Sequence, residues 1–569
     1  MTATGPQSRL FLRRPQRALG ARDKYVQRDW QPHEKPTLPG SASTPLHPTR
    51  RRIQYGLVGV VVALTGGLSN ALVTANLPYL QGTLGAYATE MAWLPAAYVM
   101  TNMSANLLLV KFRQQFGLRR FTEIFLALYA VIAFAHLFVH SLSSAITVRA
   151  AHGLVGAALS SLGLYYVIQA FPAKYRLKAV VTGLGLTQLA LPLARVFSTD
   201  LLEFGEWQGL YLFEFGLAVF ALACVLALKL PPSDRYRVFE PLDFLTFSLF
   251  AAGAAGLAAV LSLGRLLWWT STPWLGVVLA ASIVLLCAAA WIEHNRRNPM
   301  INTRWLASAD MLRLGLAILL IRLVLSEQST GAIGFFQTLG LANTQLQTLF
   351  ALMLLGAVVG VVASTLLINP ARIAEHLIIA VAAICIGCFM DARATSLTRP
   401  EQMYVSQFLL AFGSTFFVGP AMVAGIGRVV TQPRNLISFI VLFGMAQNMG
   451  GLLGSALLGT LQVVREKYHS SQLVEHLVLT DPQVAARVQA YASVYGRAIG
   501  DPALRQAQGV RALGTVATRE ANVLAYNDVF LLIGCIAIAT GLWILSVLVW
   551  RRYLRPPVAP SPSVPTARP

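Results

Sequence analysis

The sequence predicts an all-α polytopic membrane protein of about fourteen transmembrane helices. Three observations predict it: an excess of apolar residues, their grouping into runs of spanning length, and a one-sided distribution of positive charge. Hydrophobic residues make up 56% of the 569 positions and charged residues 12%, whereas a water-soluble chain coats itself with roughly 25% charged residues. Mean hydropathy is +0.59. With so few charges the apolar surface has to face lipid, and a water-soluble fold is excluded.

A helix needs about 20 apolar residues to cross roughly 30 Å of hydrocarbon. Runs of that kind occupy 53–77, 91–110, 121–140, 145–170, 179–199, 208–230, 243–263, 274–292, 312–336, 345–368, 375–391, 403–424, 436–461 and 527–550. The charges then orient them. With both termini in the cytoplasm, 32 of the 45 Lys and Arg fall inside, in the two tails and in six short loops such as Lys111/Arg113/Arg119/Arg120 and Lys174/Arg176/Lys178. Ten fall outside, seven of them in one long connection, and Arg149, Arg195 and Arg322 lie within spans. This is the asymmetry of the positive-inside rule, so the net charge of +21 reads as a topology signal and not as a nucleic-acid footprint. A multi-pass protein of a bacterial inner (cytoplasmic) membrane is the expectation.

Residues 1–52 are polar, Pro-rich and basic, with Arg13-Arg14 and Arg50-Arg51-Arg52 and no secretory-type apolar stretch. They read as a disordered cytoplasmic tail. The long external connection, 462–526, contains Asp481-Pro482 and Asp501-Pro502, each an N-cap followed by Pro at the first helical position. Two or three short helices are expected there.

No G-x-x-x-x-G-K-S/T, H-E-x-x-H or G-x-S-x-G occurs, so neither an ATP-binding loop nor a catalytic site is expected, and no catalytic residue is assigned. Cys385-Ile-Gly-Cys388 spells C-x-x-C inside an apolar run, where thiols act as small hydrophobes. His136 and His140 are spaced i,i+4, and His469 and His476 share the long connection. Neither pair has an obvious third ligand, so both read as interfacial or solvated and no metal is expected.

Ionisable groups inside spans are costly unless they face a cavity or a partner. Glu214 and Glu327 lie well within apolar runs, and Asp200 and Asp528 at span ends. Arg149, Arg195 and Glu214 sit at similar depth on helices that could converge, and Arg195 is read as a fixed partner for Glu214. Arg322 and Glu327 are five residues apart on one helix, too far around it to face each other, so each needs a partner elsewhere. Gly356-x-x-x-Gly360 and Gly450-x-x-x-Gly454 allow close helix approach, and Pro192 and Pro420 mark breaks.

Several stretches together resemble one family. Leu77-Pro78 closes span one as an A-L-P does; Trp93-Leu94-Pro95-Ala96-Ala97-Tyr98 resembles W-x-x-x-a-Y; Arg149-Ala150-Ala151-His152-Gly153 resembles R-x-x-q-G; Phe116-Gly117-Leu118-Arg119-Arg120 matches the end of G-x-L-a-D-r-x-G-r-r; and Ala525-Tyr526-Asn527-Asp528-Val529-Phe530 resembles the entry to the last span. These are motifs of the major facilitator superfamily, and within it of the fourteen-span drug:proton antiporters of the EmrB/QacA type. The departures are specific. Gln114 stands where the loop motif has its acid and Val110 where it has its first Gly. Leu68-Ser69-Asn70 replaces the span-one L-D, and the antiporter motif is reduced to Leu191-Pro192-Leu193-Ala194-Arg195.

The resemblance implies two six-helix bundles, 53–230 and 301–550, with two inserted spans in 231–300, a loop at 462–526 and a tail at 551–569. It also implies alternating access, with substrate near the midplane. The expected function is export of amphipathic or aromatic small molecules, of multidrug-efflux type, by proton antiport. The proton gradient is the energy source and no cofactor is needed. Because the usual span-one acid is missing, Glu327, Glu214 or Asp528 has to carry the proton, with Glu327 favoured for its depth. Arg149, Arg195, Arg322 and Tyr98 are the substrate-cavity candidates. Relatives in double-membraned bacteria work with a periplasmic adaptor and an outer-membrane channel, and 462–526 is on the face for docking one. Fold does not fix direction, so an importer, a uniporter or a sensor that has lost transport remain open on sequence alone.

Overall fold

The computed structural model describes residues 40–550, together with Trp30, Gln31, Glu34 and Pro36. The tail at 551–569 and most of 1–39 lie outside the described residues. Among the described residues there is no strand. The main helices are α1 (Thr49–Ala75), α2 (Trp93–Phe116), α3 (Leu118–Phe138), α4 (Leu142–Ala170), α5 (Ala173–Leu202), α6 (Trp207–Ala227), α7 (Pro241–Leu267) and α8 (Pro273–Asn295). They continue with α9 (309–338), α10 (Gln347–Leu367), α11 (Ile373–Asp391), α12 (Tyr404–Thr431), α13 (Leu436–Glu475), α14 (Pro482–Val494) and α15 (Pro502–Val549).

Twelve of these are long and apolar enough to cross a membrane. The other two expected spans, α2 and α9, are helical and packed into the bundles, but α2 carries Lys111 and Arg113 in its last turns and α9 is interrupted. Helices α1–α6 form one bundle around α1 and α4; α9–α13 with α15 form the second around α12 and α13. The bundles meet where α5 lies on α10 and α12, and where α2 lies on α13. Of the inserted pair, α7 fits against both α2 and α13, while α8 rests on α7 with only 17% of its apolar window buried. Its exposed Val277, Val284 and Trp291 are the lipid-facing side chains a peripheral span requires.

Close contacts sit where the small residues are. A Cβ on Gly450 would come within 2.6 Å of the Leu319 carbonyl, and one on Gly454 within 2.6 Å of that of Leu323, so α13 lies directly on the backbone of α9. Gly356 and Gly360 let α10 approach the backbone of α12 at Phe408 and Phe412 in the same way. Pro192 has its break: α5 is interrupted at Leu189, because proline offers no N–H and clashes with the carbonyl four residues back. Pro420 is accommodated inside an unbroken α12.

Two expectations are corrected. Residues 40–52 are not a loose tail. Ser41, Ala42 and Ser43 are buried beneath the first bundle; the Ser43 N–H donates to the Pro232 carbonyl at 3.0 Å, and Arg52 Nε donates to the Ala170 carbonyl at 2.9 Å. In the connection 462–526 the separate short helix expected after Asp481-Pro482 is present as α14, but the segments on either side of it are extensions of α13 and α15. No Pro or Gly interrupts the chain from Leu461 to Glu475, so α13 runs on for 40 residues. The Asp501 carboxylate accepts from Ala503 N at 2.8 Å and starts a helix that continues to Val549. Asp481 caps α14 likewise, through Gln483 N at 2.8 Å. α14 packs along α15, giving a helical projection on the face opposite the start of α1.

Candidate functional site

Three buried polar clusters stand out, one in each bundle and one at the inserted pair. In the second bundle, α9 changes from α-helical to a π-helical turn over Glu327–Ala332. Such wide turns re-aim a side chain and are frequent at functional sites. Glu327 opens this turn and points into the core, fully buried. Gln407 of α12 donates from Nε2 to both Glu327 oxygens, at 3.1 and 3.3 Å, and to Asp391 Oδ2 at 2.8 Å. Ser406 Oγ donates to Asp391 Oδ1 at 2.5 Å. Gln328 Nε2 reaches the Gln407 carbonyl at 3.3 Å. One amide therefore bridges two buried carboxylates from α9 and α11. Among the described residues neither carboxylate has a Lys, Arg or His as ion-pair partner.

In the first bundle, Arg149 of α4 is fully buried. It donates from Nη2 to Asn70 Oδ1 at 2.6 Å and from Nη1 to the Ser69 carbonyl at 3.2 Å, and its guanidinium lies 4.8 Å from the ring centre of Tyr98. So Ser69 and Asn70, in the stretch that stands in place of the span-one L-D, are the neutral partners of Arg149. One turn further on, His152 Nδ1 is 3.4 Å from Glu214 Oε1 of α6. His136 of α3 joins them, its ring 5.0 Å from that of His152 and stacked at 4.8 Å on Tyr211.

The third cluster crosses the inserted pair. Lys111 of α2 donates to Asp243 Oδ2 of α7 at 2.5 Å. Arg296, just past α8, is 2.7 Å from Asp243 Oδ1, 3.1 Å from Glu293 and 2.6 Å from Glu240. The Glu293 carboxylate also accepts from the Ile301 backbone at 2.9 Å. The acid missing at Gln114 is thus matched by one supplied from α7.

The expected site residues are dispersed among these features. Glu327 lies in the second-bundle cluster, and Arg149, Tyr98 and Glu214 in the first. The expected Arg195–Glu214 pair is absent: Arg195 turns across the bundle interface, 5.3 Å from the Phe350 ring of α10, while Glu214 faces inward to α3 and α4. Adjacent spans at equal depth can present opposite faces, and depth is all the sequence supplied. Arg322 is half-buried, packed beside Gly450 of α13 and away from Glu327. Asp528 lies at the root of the projection, paired with Arg465 at 2.5 Å and His469 at 2.7 Å, apart from both buried clusters. Sequence reasoning missed Asp391, Gln407 and His152, and it read His136 as interfacial or solvated where the structure buries it beside His152. Asp391 closes the short run 375–391 and reads there as a boundary, and His152 was absorbed into a motif.

The fold has recognisable relatives. Residues 59–293, spanning the first bundle and the inserted pair, match the Major Facilitator Superfamily. The multidrug resistance protein Stp of Mycobacterium tuberculosis (strain CDC 1551 / Oshkosh) is 24% identical over 237 residues, 41% of this chain and 43% of that protein. The chain thus spans less than half of that relative's length. The crystal structure of the human organic anion transporter MFSD10 (TETRAN) superposes with a TM-score of 0.51 at 13% identity, over 86% of this chain and 100% of that one. The proton:xylose symporter XylE gives 0.51 at 12% identity over 88% and 96%, and an auto-inhibited POT family peptide transporter 0.51 at 14% over 89% and 99%. The fold is that of the major facilitator transporters, and these matches group the chain with membrane transporters rather than with enzymes.

Proposed function

We propose that this chain, on its major facilitator fold, exports amphipathic or aromatic small molecules in exchange for protons by alternating access of the two bundles. The observation that carries the reading is the Glu327–Gln407–Asp391 cluster. Charging both carboxylates around one amide would put two like charges into a low-dielectric interior with no cation beside them. An arrangement of that kind suits a group that takes up and gives off a proton as the bundle opens to one side and then the other. It lies at a π-helical break and on three helices of one bundle, so a rearrangement of α9 changes its surroundings. Substrate specificity of the multidrug kind draws support from the name of the Mycobacterium relative and from the drug:proton antiporter motifs. Everted membrane vesicles energised by a proton gradient should accumulate an amphipathic dye and lose it when a protonophore is added. Accumulation that survives the protonophore would remove proton antiport from the reading.

The same reading puts both termini in the cytoplasm of a bacterial inner membrane, and the helical projection 462–526 in the periplasm as the contact for an adaptor that leads to an outer-membrane channel. A cysteine at Asp501 should react with a membrane-impermeant maleimide in cells whose outer membrane is permeabilised, and a photocrosslinker there should capture the adaptor. Labelling only after the inner membrane is broken would invert the topology, and capture of nothing but lipid would end the docking role.

A further inference from the structure

His136, His152 and Glu214 bring three ligand atoms within 4.8 Å of one another, in the interior of the first bundle, and all three side chains are buried. We propose that they form a binding site for a divalent transition metal of the zinc class, with two imidazoles and one carboxylate as protein ligands. The role is distinct from proton coupling in the second bundle and does not depend on it.

The chemistry of the donors supports this. His136 donates its Nδ1–H to the Ile132 carbonyl at 3.1 Å, which leaves Nε2 as a bare lone pair with no hydrogen-bond partner among the described residues. That is the arrangement of a metal-ligating histidine, whose second nitrogen is held by a backbone carbonyl so that the first is free and correctly aimed. Neither nitrogen of His152 has a hydrogen-bond partner, and neither has Glu214 Oε1. Buried polar atoms left without partners are costly, and here one from each of the three residues lies within 4.8 Å of the others. A simple imidazolium–carboxylate contact would serve His152 Nδ1 and Glu214 Oε1 but give His136 Nε2 nothing.

The spacing agrees. With zinc–nitrogen and zinc–oxygen bonds of about 2.0–2.1 Å, two ligands of a tetrahedral ion are separated by about 3.3–3.4 Å. His152 Nδ1 and Glu214 Oε1 are already 3.4 Å apart, so only His136 has to move inward. Two histidines and a glutamate leave a fourth position for water or hydroxide. The nearby charge is Arg149, which spends Nη1 and Nη2 on Ser69 and Asn70 and so does not occupy the free Glu214 oxygen. A hydroxide in the fourth position would bring the net charge of ion, carboxylate and hydroxide to zero beside it. Tyr98, Tyr129 and Tyr211 wall the site, with the Tyr129 hydroxyl directed away to the Thr65 carbonyl at 2.8 Å.

The test uses the purified full chain in detergent, stripped with chelator and titrated with Co²⁺. One equivalent should bind and give the intense visible d–d absorption of a tetrahedral site, and Zn²⁺ should displace it. His136→Gln, His152→Gln and Glu214→Gln should each weaken Co²⁺ binding by about 100-fold or more while the protein still elutes as a single species. The double variant His140→Ala/His469→Ala should bind as the parent does. If a ligand variant fails to fold, the parent spectrum and this control decide. A parent protein with no tetrahedral cobalt spectrum, or binding that is lost in the His140/His469 variant, overturns the proposal.

Discussion

Glu327→Gln is expected to abolish proton-driven transport while leaving substrate binding and passive exchange measurable. The substitution keeps the length and planarity of the side chain and removes only its capacity to titrate. Gln407 can still donate to the new carbonyl oxygen, so the hydrogen bonds of 3.1 and 3.3 Å have a successor. Replacing one of two neighbouring buried acids also removes a source of like-charge repulsion, so stability should be unchanged or higher. Asp391→Asn should produce the same uncoupling, because the two carboxylates share one amide donor. Glu327→Ala should be worse in a different way: it leaves a buried Gln407 N–H underused at about 1–3 kcal/mol. Vesicle transport driven by a pH gradient, set beside substrate counterflow without one, separates the outcomes. Full gradient-driven transport in both amide variants would end the assignment and turn attention to Glu214.

The second large effect is expected at the inserted pair. Asp243 is wholly buried, with Lys111 at 8% and Arg296 at 5% side-chain exposure around it. Asp243→Ala would leave two buried cations without their common partner, a loss of about 3–5 kcal/mol for a broken buried pair. It would also detach α7 from the end of α2, so loss of folded protein in thermal melts should be accompanied by lower yield from membranes. Asp243→Asn should fall in between, since it keeps hydrogen-bond acceptors without charge. The exposed i,i+4 pair Arg119–Glu123, with side chains 56% and 37% exposed, provides the contrast: Glu123→Ala should cost no more than about 0.5 kcal/mol. Equal stability of the Asp243 and Glu123 variants would show that the cluster is not holding the insertion in place.

These sites divide what the sequence shows from what it conceals. Helix positions were legible because each apolar run is long and bounded by charge. Depth was legible too: Glu327 falls in mid-run, and it is buried. Rotation about the helix axis was not. Arg195 and Glu214 match in depth yet face opposite ways, and Glu214 instead meets His152 of α4. Asp391 was concealed by its position at the end of a short run, where only Ser406 and Gln407, supplied from across a loop by α12, make it an interior residue. Lys111 read as a loop charge until Asp243 arrived from 132 residues further on. The caps at Asp481 and Asp501 were legible locally, but how far each helix ran was decided by the absence of a breaker, which is weaker evidence than the presence of one.

The unbroken α15 has a mechanical consequence. Its 48 residues make a rod of roughly 72 Å at about 1.5 Å per residue. A bilayer core takes up about 30 Å of that, so roughly 40 Å stands clear, braced by α14 and by the extended α13. A stiff rod pivoting in the membrane acts as a lever, and its free end exaggerates whatever its buried half does. If the second bundle tilts by about 10°, the tip of a lever roughly 40 Å long sweeps roughly 7 Å. The stroke of the transport cycle would therefore be delivered outside the membrane, to whatever stands beside residue 501, as a displacement large enough to open or close a contact there.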